Sequence, residues 1–262
     1  MSTSDWNPEL YRRFEDERTR PARELLARVM LDAPKTVYDL GCGPGNSTEL
    51  LAERFAGATV IGTDNSEPML VSARERLPNC EFRFSDIASW RADKPADLIY
   101  SNAALQWVGG HETLIPRLFE QLAPGGVLAI QMPDNREEPT HRLMREVAGR
   151  APWSGLIGDA AKVRTKILSI SDYYDLLAPK AAGVDVWRTA YQHPMASAAK
   201  IVEWVRGTGL KPFIDPLPPE QREAFLADYE AAIDQAYAVR ADGLRLLAFP
   251  RMFIVAQQAL KS

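Results

Sequence analysis

The chain has 262 residues and a formal net charge of -4 at pH 7, with 46% hydrophobic and 25% charged residues, which is typical of a globular protein. The small negative charge gives no general attraction to nucleic acid or to an anionic membrane, and no apolar stretch approaches the roughly 18 residues that a membrane span needs. The first residues lack the basic and apolar regions of a signal peptide, so we expect a cytoplasmic protein with no nucleic-acid or membrane partner.

Strand and helix patterns alternate over the first half of the chain. A helical segment over 9–31 is interrupted near Pro21 and would form an N-terminal lid over 1–32. The segment 33–132 then carries five short apolar runs typical of strands: 36–40, 59–63, 81–84, 97–101 and 127–132. Amphipathic helices are predicted between them, over 47–55, 67–77 and 112–122. This alternation predicts a doubly wound, mostly parallel α/β sheet.

The second half of the chain has a different pattern. The stretches 133–183 and 192–247 are predominantly helical, whereas 184–191 and 248–258 return to strand patterns. We therefore expect one domain whose sheet is completed by the two returning strands. The two helical insertions would form a cap over the carboxyl edge of the sheet.

A glycine-rich turn directly follows the first predicted strand. Its sequence is Asp39-Leu40-Gly41-Cys42-Gly43-Pro44-Gly45-Asn46, with Asn46, Ser47 and Thr48 as possible caps of the next helix. Glycines let a ligand approach the backbone closely, and Asp64 at the end of the next strand suits the two hydroxyls of a ribose. The third glycine comes one residue too early for the dinucleotide fingerprint, and no basic residue follows closely as in a phosphate-binding loop.

The D-L-G-C-G-P-G motif resembles the first motif of class I S-adenosylmethionine (SAM) methyltransferases. The resemblance implies a Rossmann-like fold with a seven-stranded sheet and SAM as cofactor. It also implies cofactor contacts at the ends of four strands. The residues expected there are Asp39, Gly41, Gly43, Gly45, Asn46, Asp64, Asn65, Met69, Asp86, Ile87, Asn102, Gln106 and Trp107.

The segment after the fourth strand bears on the methyl acceptor. Methyltransferases that act on planar amines or amides carry N-P-P-Y or D-P-P-Y there, whereas this chain has Asn102-Ala103-Ala104-Leu105. A planar nitrogen acceptor is therefore disfavoured.

The resemblance extends beyond the cofactor-binding part to the methyltransferase family that esterifies trans-aconitate, a tricarboxylate. The segments that carry it are 5–8, 17–21, 102–107, 131–135, 138–141, 184–189 and 249–251, whereas 153–166 matches least well. It implies transfer of a methyl group from SAM to one carboxylate, giving a monomethyl ester and S-adenosylhomocysteine. The alternative is a related enzyme acting on another small acid or a carbon acceptor. A SAM-binding RNA-associated protein is a third interpretation, but the expected basic stripe is missing.

This chemistry needs no general base, because a carboxylate with a pKa near 4 is already ionised at neutral pH. We expect catalysis by proximity and orientation, with no proton-transfer side chain. Arginine suits the substrate carboxylates, and Arg20 beside Pro21 is the strongest single candidate, with the SAM carboxylate as the alternative partner of Arg20. The expected substrate contacts are Trp6, Tyr11, Arg18, Arg20, Tyr173, Tyr174 and Arg251.

The cysteines and histidines indicate no metal site. The only two cysteines, Cys42 and Cys80, are far apart, and the three histidines are spread along the chain. The sequence leaves the oligomeric state open.

Overall fold

The structure is a computed structural model that describes residues 15–160 and 167–260. It contains a seven-stranded sheet whose strands are β1 (Thr36–Leu40), β2 (Thr59–Asp64), β3 (Glu81–Phe84), β4 (Ala96–Asn102), β5 (Leu122–Pro133), β6 (Ala181–Met195) and β7 (Arg245–Gln258). The strand order is β3-β2-β1-β4-β5-β7-β6. The pairs from β3 to β5 are parallel, and β7 runs antiparallel to β5. The prediction of a doubly wound, mostly parallel sheet is confirmed.

Helices connect the strands and are the most numerous elements in the second half of the described chain. Those in the described residues are α1 (Glu15–Ala27), α2 (Asn46–Arg54), α3 (Glu67–Arg76), α4 (His111–Phe119), α5 (Pro139–Ala148), α6 (Ser154–Ile157), α7 (Ile170–Leu177), α8 (Ala198–Arg206), α9 (Lys211–Ile214) and α10 (Pro219–Ala236). A 3₁₀ turn at Leu105–Trp107 follows β4.

Helix α1 continues through Pro21, so the predicted interruption there was wrong. A proline inside a helix removes a backbone hydrogen bond. In α1 one face after the proline is buried: Ala22 is 2% exposed and Leu25 is fully buried. Tertiary packing therefore outweighs the local preference of the proline.

The chain divides into two compact units. The sheet unit comprises the chain up to Pro133, Ile167–Arg188 and the chain from Arg251 onward, and the helical unit comprises Asp134–Lys166 and Thr189–Pro250. Helix α7, which the sequence analysis placed in the first insertion, thus groups with the sheet. The chain passes between the units within β6 and within β7.

Both faces of the sheet are covered within the sheet unit. On one face, alternate strand residues such as Leu40, Ile99 and Ile130 form an apolar core with residues of α4 and α7. On the other face the hydroxyl group of Tyr100 donates to the carbonyl oxygen of Ala22 in α1 over 2.7 Å. Burying both faces leaves the carboxyl ends of the parallel strands as the edge where a ligand can bind.

The helical unit has its own core. Helix α10 packs against α5 and α8. The hydroxyl group of Tyr229 donates to the carbonyl oxygen of Thr140 over 3.0 Å, and the indole nitrogen of Trp153 donates to Asp228 over 2.9 Å. These bonds fix the start of α5 and the Trp153 segment on α10.

None of the helices that the structure describes has the length and apolar character needed to cross a membrane.

Candidate functional site

The loop between β1 and α2 requires its three glycines for different reasons. Gly41, Gly43 and Gly45 have φ values of 72°, 54° and 92°, in the left-handed region that favours glycine. A Cβ on Gly41 would lie 2.2 Å from the Cβ of Ala104, whereas a Cβ on Gly43 would meet no atom of the described residues within 4 Å. Gly41 therefore permits close packing against the segment after β4, and Gly43 leaves its side of the loop open.

Asp39 at the end of β1 anchors this loop from inside the protein. The Asp39 side chain is fully buried, and its Oδ2 accepts hydrogen bonds from the hydroxyl groups of Ser47 and Thr48, both over 2.7 Å. Burial raises the pKa of Asp39 to about 6, although the two hydrogen bonds oppose the shift. The other oxygen, Oδ1, accepts no hydrogen bond from any described residue.

This arrangement corrects the expected capping of α2. Gly45 is the N-cap residue. The hydroxyl groups of Ser47 and Thr48, which the sequence analysis assigned as possible caps, donate to Asp39 instead. A buried acceptor on the neighbouring strand takes both donors, and this ties the first turn of α2 to β1.

Asp64 connects the glycine loop to the end of β2. Its Oδ2 accepts from the backbone nitrogen of Gly43 and its Oδ1 from that of Ser66, each over 2.9 Å. Burial raises the pKa of Asp64, while the backbone hydrogen bonds from Gly43, Ser66 and Asn65 lower it. Each carboxylate oxygen has two lone pairs, so both can accept a further bond from a ligand hydroxyl group.

The residues expected around an adenine ring surround the ends of β2 and β3. Ile87 and Met69 are 8% and 6% exposed, whereas Asn65 and Asp86 are exposed. The Oδ1 of Asp86 accepts from the backbone nitrogen of Ala88 over 2.8 Å, which fixes the turn after β3. The Cδ1 of Ile87 would lie 3.3 Å from a Cβ at Gly41, so this side chain borders the glycine loop.

The turn after β4 has a strained backbone. Ala103 has a φ of 56°, which costs about 1–3 kcal/mol for a residue other than glycine. Its backbone nitrogen donates to the carbonyl oxygen of Gln131 over 2.9 Å, and its carbonyl oxygen accepts from Nε2 of Gln106 over 2.6 Å. These two bonds hold Ala103 in place between Asn102 and the 3₁₀ turn. Trp107, the last residue of that turn, is 43% exposed.

A buried network fixes this 3₁₀ turn from below. Nε2 of His111 is 2.9 Å from the carbonyl oxygen of Leu105, so this nitrogen carries the proton. Nδ1 is then an acceptor, and the hydroxyl group of Tyr173 donates to it over 2.5 Å. The Tyr173 oxygen in turn accepts from the backbone nitrogen of Leu168 over 3.2 Å. Tyr173 is fully buried, and its hydroxyl group is bonded within this network.

The other expected substrate residues lie in different environments. Arg251 on β7 is 6% exposed, and its Nη1 donates to Oε1 of Gln131 over 3.4 Å. Arg20 is 65% exposed and forms an ion pair with Glu24 over 2.8 Å. Tyr174 is 50% exposed. Trp6, Tyr11 and the side chain of Arg18 lie outside the described residues.

Neither Gln131 nor His111 was predicted from the sequence as a site residue. Gln131 is a fully buried polar side chain within the apolar strand β5. A polar residue inside an apolar run is visible in the sequence, and this signal could have identified Gln131. No local pattern distinguishes His111, because its two partners lie in the 3₁₀ turn and in α7.

The assembled loop fits a cofactor such as SAM, which carries a ribose and a positive charge but no phosphate. The open side of Gly43 offers room, and Asp64 offers acceptors for ribose hydroxyl groups. The Oδ1 atoms of Asp39 and Asn102 are buried and accept no hydrogen bond in the described part of the chain, so each is left as an acceptor for a ligand that carries positive charge. Within that same part, no cluster of His, Cys, Asp or Glu is arranged to hold a metal ion.

Comparisons with known proteins identify the family of this chain. The family model "Methyltransferase domain" matches residues 37–126, which include the glycine loop, Asp64 and the 3₁₀ turn. Trans-aconitate 2-methyltransferase of Paracidovorax citrulli is 73% identical over 97% of this chain and 99% of its own length. The enzyme of the same name from Variovorax paradoxus is 71% identical over 97% and 98%. The crystal structure of the YcgJ protein of Bacillus subtilis shares the fold, with a TM-score of 0.61 at 14% identity over 92% of this chain and 99% of that one. The chain therefore belongs to the trans-aconitate 2-methyltransferase family of class I methyltransferases, with S-adenosylmethionine as cofactor.

Proposed function

We propose that the protein transfers a methyl group from SAM to one carboxylate of trans-aconitate, giving a monomethyl ester and S-adenosylhomocysteine. The observation that carries the proposal is the identity of 73% to a relative named trans-aconitate 2-methyltransferase, which spans 97% of this chain and therefore includes both units. A fold shared with methyltransferases in general would not specify the acceptor.

The cofactor site is proposed to consist of the glycine loop and the adjacent strand ends. Gly43 lets the cofactor lie against the backbone, and Asp64 accepts from the ribose hydroxyl groups. Ile87 and Met69 provide apolar surface for the adenine ring. When bound, SAM supplies the methyl group as an electrophilic sulfonium.

The protein's part in the reaction is to orient the acceptor and to exclude water. The acceptor carboxylate is ionised at neutral pH and needs no base, because its ordinary pKa is near 4. Holding the two reacting groups in line accounts for roughly 7 to 11 kcal/mol of barrier reduction in favourable systems. Asn102 and the strained turn at Ala103 fix the edge against which the reacting groups lie.

Arg251 is proposed to bind a substrate carboxylate. Arginine pairs with carboxylates through two parallel hydrogen bonds, and a buried guanidinium binds an anion more strongly than an exposed one. Trp6, Tyr11 and Arg18 are proposed to complete the substrate site from the N-terminal lid, and Tyr174 from α7.

The proposal is tested by methyl transfer from labelled SAM to a panel of acids: trans-aconitate, cis-aconitate, citrate, isocitrate and a monocarboxylate. We expect the highest kcat/KM with trans-aconitate and a product that releases labelled methanol in base, as an ester does. A base-stable product, or a higher kcat/KM with another acid, would contradict the assignment.

A cytoplasmic location is proposed as well, since both cysteines, Cys42 and Cys80, are free thiols as expected in a reducing compartment. Cell fractionation with an antibody against the chain tests it.

A further inference from the structure

A polar row crosses the sheet at the carboxyl ends of its parallel strands. Asn102 on β4 and Gln131 on β5 are direct cross-strand partners, so their side chains lie on the same face. Gln131 is also the partner of Phe253 on β7, and Arg251 lies two residues before Phe253 and thus on the same face again. Asn102, Gln131 and Arg251 therefore form a row on one face of the sheet.

The orientation of the Gln131 amide follows from its neighbour. The guanidinium of Arg251 can only donate, so the atom that faces it over 3.4 Å is the amide oxygen Oε1. The amide nitrogen Nε2 is then directed away from this contact. Nε2 is buried and donates to no acceptor in the described residues.

An unused buried donor is costly for a folded protein, and native structures contain few of them. Asn102 shows the complementary case, since its Oδ1 is a buried acceptor that receives no bond from the described chain. Although Gln131 and Asn102 are neighbours, their free donor and free acceptor do not satisfy each other.

Hydrogen-bonding type changes along this face of the sheet. Asp39 on β1 and Asn102 on β4, on the side of the glycine loop, each have a buried oxygen that accepts no bond within the described residues. The donors, on Gln131 and Arg251, belong to β5 and β7. The acceptors on Asp39 and Asn102 suit a cationic ligand, whereas the donors on Gln131 and Arg251 suit an anionic ligand.

We propose that Gln131 is a substrate-binding residue that determines specificity, and that its Nε2 donates a hydrogen bond to a carboxylate of the acceptor while Arg251 holds the amide in that orientation. This inference rests on the proposed function, and it assigns the contact with one substrate carboxylate to Gln131. The contact is shielded from solvent, so it has no competing water and discriminates strongly against acids that lack the group.

Two substitutions of similar volume separate the donor from the rest of the side chain. Gln131→Glu keeps an oxygen towards Arg251 but replaces the donor by an acceptor, and Gln131→Met removes both polar atoms. The matched controls are Gln121→Glu and Gln121→Met. Gln121 lies directly before β5, at the opposite end of the strand, and bonds the backbone of Ala92 and Arg117.

We expect both Gln131 variants to raise the KM for trans-aconitate by about 10- to 100-fold, the loss that one hydrogen bond to a charged group represents. The Kd for SAM, measured by calorimetry without acceptor, should change by less than about twofold by the same scale. The Gln121 variants should leave both constants unchanged, and thermal unfolding checks that each variant is folded.

Competitive inhibitors test the direct contact. Three dicarboxylate analogues of trans-aconitate, each lacking a different carboxylate, are compared on the wild type and on Gln131→Met. We expect two of them to lose affinity in the variant and the third, which lacks the carboxylate that Gln131 binds, to inhibit both proteins equally.

A wild-type KM in both Gln131 variants would overturn the inference and would mean that water satisfies the amide. An equal loss of affinity for all three analogues, or a loss of SAM affinity that matches the rise in KM, would overturn it too. In those cases the wild type still methylates trans-aconitate, so the proposed function stands. A wild type that transfers no methyl group to trans-aconitate would overturn both.

Discussion

The backbone nitrogen of Gly43 donates to the Oδ2 of Asp64 over 2.9 Å, so the open side of the glycine loop and the expected ribose acceptor are joined directly. The same carboxylate accepts from Ser66 at the entrance to α3. A single side chain therefore aligns the loop after β1 with the end of β2 before any ligand is bound.

Replacing Asp64 by alanine is expected to weaken SAM binding by about 1–3 kcal/mol, because charge-assisted hydrogen bonds are lost and the loop loses its anchor. Calorimetric titration with SAM measures the effect. Glu67→Ala in the first turn of α3 is the matched control, because Glu67 is exposed and pairs with Arg74. Unchanged SAM affinity in Asp64→Ala would remove Asp64 from the site.

Two glycine substitutions should separate packing from ligand access. Gly41→Ala is expected to destabilise the fold by about 2–5 kcal/mol, since it adds a clash with Ala104 to the backbone strain. Gly43→Ala meets open space, so we expect a loss of only about 1–2 kcal/mol from strain and a larger loss of SAM affinity. Urea unfolding and SAM titration of both variants measure these effects. Equal unfolding free energies would contradict the difference.

The pKa of Asp39 predicts how stability depends on pH. The folded-state pKa of about 6 is higher than the ordinary value near 3.9, so the folded protein binds the proton more tightly than the unfolded chain. Stability from this group is fully present below about pH 4 and is lost as the pH rises through 6, by about 3 kcal/mol. Asp39→Asn should flatten this part of the profile. Urea unfolding between pH 4 and pH 7.5 measures it, and an unchanged slope in Asp39→Asn would assign the dependence to another group.

Two arginines should differ in their effect on substrate binding. The sequence favoured Arg20, but its ion pair with Glu24 is exposed, and such pairs contribute only about 0.2–1 kcal/mol. We expect Arg20→Ala to change the KM for the acid by less than about threefold, whereas Arg251→Lys should raise it by about tenfold or more because the planar fork is lost. Steady-state kinetics with saturating SAM compare them. The reverse order would restore Arg20 as the substrate-binding arginine.

Adjacent tyrosines give a test of the network under the 3₁₀ turn. Tyr173→Phe leaves Nδ1 of His111 and the backbone nitrogen of Leu168 without their shared partner, so we expect a loss of about 1–3 kcal/mol in unfolding free energy. Tyr174 is 50% exposed, so Tyr174→Phe should change the unfolding free energy by less than about 0.5 kcal/mol. Equal stabilities in urea unfolding would mean that the network contributes nothing to stability.

Local patterns were sufficient to predict the strands, the glycine loop and the position of Asp64. Apolar runs mark strands, and a left-handed turn between a strand and a helix selects glycine at positions such as Gly41 and Gly43. The missed features depend on contacts between distant parts of the chain. Pro21 is tolerated because of what α1 packs against, and Ser47 donates to Asp39 because a buried acceptor on β1 lies within reach. A role for Gln131 can be assigned only from its contact with Arg251, which lies on another strand.

The left-handed backbone at Ala103 also restricts how this enzyme can evolve. Proline holds φ near -65°, whereas Ala103 is at 56° and donates its backbone N–H to Gln131. The double proline of amine-directed relatives is therefore incompatible with this backbone, because it would require a large rotation at this residue and would break that bond. A change from oxygen to nitrogen acceptors through this motif would therefore require rebuilding the whole turn.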